Sequence, residues 1–143
     1  DRNLNAINNP EIKISSIEGS SDAVIAATFY PKAKILSLPQ LTDSSQMLLN
    51  VTTGKADVVF VDRHTVGQFL VHNPGALHEV QADYPLSLFG NAIGINKGDY
   101  ALKTSLDNAT LQLLNTGVVE QIISKYETYP HSIYRASLPF INQ

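Results

Sequence analysis

The chain has no cysteine, which excludes disulfides, thiol nucleophiles and thiolate metal sites and fits an oxidising compartment as well as a reducing one. No apolar run approaches the 18 or so residues that span a bilayer, and the opening Asp1-Arg2-Asn3-Leu4-Asn5 has no signal-peptide core. Basic residues are not in excess: 10 Lys and Arg stand against 13 Asp and Glu, with no cluster able to track phosphates, so nucleic acid is not the expected partner. Catalytic signatures are missing too. There is no Gly-x-Ser-x-Gly elbow, no phosphate loop and no His-Glu-x-x-His zinc helix. His64 and His72 lie eight positions apart, too far for a helical metal pair, and His78-Glu79 reads as a solvated loop pair. Neither a catalytic group, a metal nor a cofactor is expected.

What is present is a soluble globular composition, with 43% hydrophobic and 16% charged residues over 143 positions, enough for one real core. Hydrophobic periodicity then organises the chain. Ile12-Lys13-Ile14-Ser15 alternates as a strand over 12–16, and Gly19-Ser20-Ser21-Asp22 turns into a helix that runs to about Phe29 and stops before Pro31. A second strand spans 33–38 and closes at Pro39. Thr42-Asp43-Ser44 caps a helix carrying Met47, Leu48 and Val51, which ends at Gly54. The apolar run Asp57 to Val61 predicts a mid-sheet strand buried on both faces. Asp62 caps a helix with Val66, Phe69 and Leu70 on one face. Alternating strands and helices predict an α/β fold with a mainly parallel sheet.

Further on, a short strand is expected near Leu77–Val80, a turn at Asp83-Tyr84-Pro85 and an extended stretch from Leu86 to Ile95. Helices follow over about 100–114, with Leu102, Leu106, Ala109 and Leu113 on one face, and over Val119–Tyr126. The remainder, from Tyr129 onward, reads as an irregular strap. These shifts divide the chain into an α/β unit, 1–95, and a helical unit with a tail, 96–143.

In an open parallel sheet, ligands bind beyond the carboxyl ends of the strands, where loops and helix N-termini gather. Three polar clusters fall there: Gly19, Ser20 and Ser21 after the first strand, Thr42, Asp43 and Ser44 after the second, and Asp62 after the third. Free N–H groups at a helix start can hold a carboxylate, and Asp62 can hold a cation beside it, which together match a zwitterion such as an α-amino acid. Against this stands the plainer role of Ser, Thr and Asp as caps, worth about 0.5–2 kcal/mol each. Asp57, at the opposite end of its strand, reads as a turn stabiliser.

The order of these residues resembles a known family. Ile12 to Ser21 with Phe29-Tyr30-Pro31-Lys32-Ala33, then Leu48 through Gly54-Lys55-Ala56-Asp57 to Asp62, and Gly90-Asn91-Ala92-Ile93-Gly94-Ile95-Asn96-Lys97-Gly98-Asp99, are similar to the second lobe and hinge exit of the amino-acid-binding extracellular solute-binding proteins of family 3. Over residues 12–127 the resemblance implies a type II periplasmic-binding-protein-like lobe, a three-layer α/β sandwich. It implies that Gly19, Ser20 and Ser21 receive the ligand α-carboxylate, that Asp62 receives the α-ammonium, and that Thr42 and Asp43 map less firmly onto the neighbouring loop. It also implies a periplasmic or extracellular protein whose export signal and first lobe lie outside this sequence. Uptake through ABC-transporter membrane subunits is the leading role; a sensor module of a membrane receptor and a dehydratase or lytic enzyme on the same scaffold remain alternatives. With half the cleft elsewhere, the helices after Gly98 are expected to expose apolar faces and the chain to self-associate.

Overall fold

A computed structural model describes residues 4–80, 85–129 and 132–135. They fall into two compact units, Asp1–Leu88 and Phe89–Gln143.

In the first unit a 3-10 turn, Leu4–Ile7, leads into β1 (Lys13–Ile17), α1 (Ser21–Phe29), β2 (Lys34–Leu38), α2 (Ser44–Thr52), β3 (Val58–Val59) and α3 (Arg63–His72). Each helix begins where its sequence places a short polar side chain. Ser20 accepts the N–H of Ala23, Asp43 that of Ser45 and Asp62 that of Thr65. The strands are all parallel in the order β2-β1-β3, with Ile14 opposite Ile35 on one side and Val58 on the other. Right-handed crossovers then put α1, which leads from β1 out to β2, and α2, which leads back past β1 to β3, on opposite faces of the sheet. Both pack on β1, and α3 packs on α2.

Among the described residues the middle strand is therefore β1, whereas the apolar run at Asp57–Val61 pointed to β3. Only Val58 and Val59 join the ladder, and both are half-buried. β1 instead buries Ile14, Ser15, Ser16 and Ile17. Two adjacent serines can sit in a core only if their hydroxyls are satisfied. The Asn50 side-chain amide donates to Ser15 Oγ at 3.0 Å, and Ser16 donates to Asp22 at 3.0 Å. Around them Ile7, Ile14, Ala26 and Tyr30 form one apolar cluster, with Tyr30 stacked on Phe60 at 5.2 Å between ring centres. Burial pushes the Tyr30 hydroxyl pKa up. Met47 and Leu48 of α2 and Ala56 beyond its end are buried, and full burial of a residue such as Leu48 contributes about 1.5–3 kcal/mol. At the amino edge of the sheet, Asp57 exchanges backbone and side-chain bonds with Lys13, each at 2.8 Å, and so ties the starts of β1 and β3 together rather than a local turn.

The second unit holds a stretch without regular secondary structure from Phe89 to Asn96, then α4 (Tyr100–Asn115) and α5 (Val118–Tyr126). Asp99 caps α4 through the Leu102 N–H. Gly117, at φ +77, makes the left-handed link that lets α5 start directly after α4. The two helices pack on each other but bury no residue completely, and Leu102, Leu113, Ile122 and Tyr126 are exposed. Residues 132–135 return along α5: Arg135 pairs with Glu120 at 2.9 Å and Glu127 at 2.7 Å, and Glu127 accepts the Ile133 N–H. These contacts hold the Glu120 and Glu127 carboxyls below the usual range, chiefly through the Arg135 hydrogen bonds.

The short strand expected near Leu77–Val80 is absent, and over 86–95, where an extended stretch was expected, there is a bend at Leu86 and no strand or helix among the described residues. Asp83, Tyr84 and residues 136–143 lie outside the described residues. Among those described, no helix is long and apolar enough to cross a membrane.

Candidate functional site

The connection from β1 leads to α1 on one face and that from β3 to α3, beside α2, on the other. Strand order thus reverses between β1 and β3, and such a reversal opens a crevice beyond the carboxyl ends of the strands. Gly19, Ser20 and Ser21 stand at the β1 exit and Asp62 at the β3 exit. Thr42 and Asp43 belong to the β2 exit, on the far side of β1 from Asp62.

The β1 exit is built by Asp22. One of its oxygens takes both the Ser16 hydroxyl and the Ile17 N–H, at 3.0 and 3.3 Å, which ties the first turn of α1 to the end of the strand. Gly19 makes the reversal at φ +77. Ser20 is fully engaged: its hydroxyl donates to the Ile17 carbonyl and accepts the Ala23 N–H. Ser21 is exposed. What the loop leaves open is the positive end of α1 with the N–H groups of Ser21 and Asp22, those of Ala23 and Val24 being taken by Ser20.

Asp62 uses both oxygens on Thr65, taking its N–H at 2.9 Å and its hydroxyl at 2.7 Å. Desolvation works to raise its pKa, but the Thr65 bonds, its own N–H and nearby His64 outweigh that and hold it below the ordinary carboxylate range. Asp43 is likewise held down by Ser45. Thr42 is half-buried and closes a turn by donating its N–H to the Pro39 carbonyl at 3.0 Å. Both aspartates are thus caps that stay ionised near neutral pH, able to face a cation and poorly suited to deliver a proton.

Three features escaped sequence reasoning. Gln40, in the Pro39–Thr42 turn, sets its side-chain amide against the β1 exit, so that a Cβ on Gly19 would lie 3.3 Å from Gln40 Nε2. No motif marks that position. Glu79 is not merely solvated; it accepts two hydrogen bonds from Arg63 at 2.8–2.9 Å. A shallow groove of about 270 Å³ runs between α2 and α3, lined by Leu48, Thr65, Phe69 and His72 among others, and of the site candidates only Asp43 borders it. Among the described residues no group of three His, Asp or Glu could hold a metal.

The first unit is an α/β lobe whose parallel sheet carries helix starts and an ionised carboxylate at its carboxyl edge. A solved structure it resembles is the crystal structure of the ancestral amino acid-binding protein AncCDT-1, a precursor of cyclohexadienyl dehydratase, with a TM-score of 0.62 and 19% identity over 87% of this chain. The fold is type II periplasmic-binding-protein-like. The chain spans 50% of that structure's length. No family model and no curated protein matches the sequence.

Proposed function

We propose that the protein binds a small α-amino acid or similar zwitterion outside the cytoplasm and presents it to the membrane subunits of an ABC transporter. The observation that carries this reading is the flanking of one strand-order reversal by the α1 start at Gly19, Ser20 and Ser21 and by ionised Asp62. The likeness in fold to an amino acid-binding protein supports it. The ligand carboxylate rests on the N–H groups opening α1 and its ammonium on Asp62, with Thr42 and Asp43 at the margin. A second lobe, covering the half of the neighbour's length this chain does not span, closes on the ligand, and contacts to both lobes favour the closed state. No cofactor takes part. The exposed apolar residues of α4 and α5 are where that lobe, or a second copy of the chain, packs.

The neighbour is a precursor of a dehydratase, which keeps an enzyme in view, but the carboxylates at this edge are held ionised, which favours binding over proton delivery. Calorimetric titration of the full-length protein with the proteinogenic L-amino acids tests the reading. Binding that Asp62→Ala weakens at least about tenfold supports it, in line with the loss of a charged hydrogen bond; binding indifferent to Asp62→Ala overturns the site.

A further inference from the structure

At the β1 exit Ser21 alone of the two serines keeps a hydroxyl with no partner among the described residues. The Ser20 hydroxyl proton is committed to the Ile17 carbonyl, and one of its lone pairs to the Ala23 N–H. A carboxylate resting on the first turn of α1 therefore gains no proton from Ser20, and carboxylates in proteins are held by several donors at once. The strand order shows where another comes from. β1 lies between β3 and β2, so Asp62 flanks the β1 exit from one side and the turn after β2 flanks it from the other. On that second side Gln40 Nε2 comes within 3.3 Å of where a Cβ of Gly19 would sit. The Gln40 side chain is exposed and makes no hydrogen bond to any described residue. Its turn is nevertheless fixed, by the Thr42 N–H on the Pro39 carbonyl and by the Glu18 N–H on the Leu38 carbonyl at 2.9 Å.

We propose that Gln40 is a ligand-binding residue, donating its side-chain N–H to the carboxylate oxygen that lies away from Asp62. This rests on the amino-acid-binding reading above and deepens it. An amide suits the place because it is uncharged, so it adds a donor without competing with Asp62 for the ammonium. Because it reads the carboxylate, which every α-amino acid shares, it sets affinity and leaves side-chain preference alone.

The test is calorimetry of the full-length protein with the proteinogenic L-amino acids, comparing the native protein with Gln40→Ala, Gln40→Glu and Asp62→Ala, and with urea midpoints measured in parallel. Gln40→Ala should weaken every bound amino acid by about 2- to 12-fold, the loss of one hydrogen bond. Gln40→Glu should weaken them at least about tenfold by setting like charges together, with the ranking of ligands and the urea midpoint unchanged. If Gln40→Glu stays within about twofold of the native protein while Asp62→Ala loses binding, Gln40 does not touch the carboxylate and the amino-acid reading stands. A loss confined to some side chains overturns the carboxylate role in the same way. If the native protein binds no amino acid, the underlying reading falls and this inference with it.

Discussion

Replacing Asp22 by alanine tests how the β1 exit is held. Ser16 is 1% exposed, so its hydroxyl cannot turn to water when the Asp22 carboxylate is removed. The orphaned donor costs about 1–3 kcal/mol, and loss of the second bond, from the Ile17 N–H, adds about 1 kcal/mol. Asp22→Ala should therefore destabilise the first unit by about 2–4 kcal/mol. Ser16→Ala alone removes the hydroxyl together with its need for a partner, and should cost less. In the double variant the Ser16 penalty disappears, so the cycle should return a coupling of about 1 kcal/mol or more. Urea unfolding followed by far-UV circular dichroism reads all four proteins. With slopes of about 1–3 kcal/mol per molar urea, the Asp22→Ala midpoint should move by roughly 1 M or more. A coupling indistinguishable from zero would refute the idea that Asp22 satisfies the buried serine.

The other predictions concern the edge and the tail. Gly19→Ala should lower stability by about 1–2 kcal/mol in thermal unfolding, the cost of a left-handed residue with a Cβ; since the nearby Gln40 amide can swing aside, adding Gln40→Ala should restore little, and full recovery would point to crowding instead. The Asp62 pKa is lowered on folding, so its contribution to stability is complete above the unfolded value and disappears as pH falls through the lower folded one. Its carboxyl should titrate by NMR below about 3.9, and a midpoint above that contradicts the Thr65 bonds. Arg135→Gln should release residues 132–135 and accelerate amide exchange at Ile133, whose N–H now rests on Glu127; unchanged exchange would mean that the segment is held by other contacts.

Much of the α/β alternation was legible because its signals are local. Ser20, Asp43 and Asp62 cap the helices that follow them, and α4 and α5 begin and end within two residues of their apolar stripes. The centre of the sheet was less legible, because what permits two buried serines in β1 is Asn50, 35 positions away, together with Asp22 on the next helix. β-Branched residues drew the eye to β3, yet strand position depends on which segments pair, and Ile14 meets Ile35 and Val58 across long stretches of chain. Of the site, the residue types that cap helices at the strand exits could be read directly. Gln40 could not, since its importance comes from a neighbouring strand's loop and not from any spacing within its own.

The place of β1 between two later strands also orders events at the ribosome. β1 emerges first but gains its first neighbour only when β2 is complete at Leu38, and its second when Val58 and Val59 appear. At translation rates of about 5–20 residues per second, this leaves about 1–4 seconds in which Ile14 is covered on one flank only. For that interval the nascent chain offers an open strand edge, the surface on which chaperones and wrong partners compete.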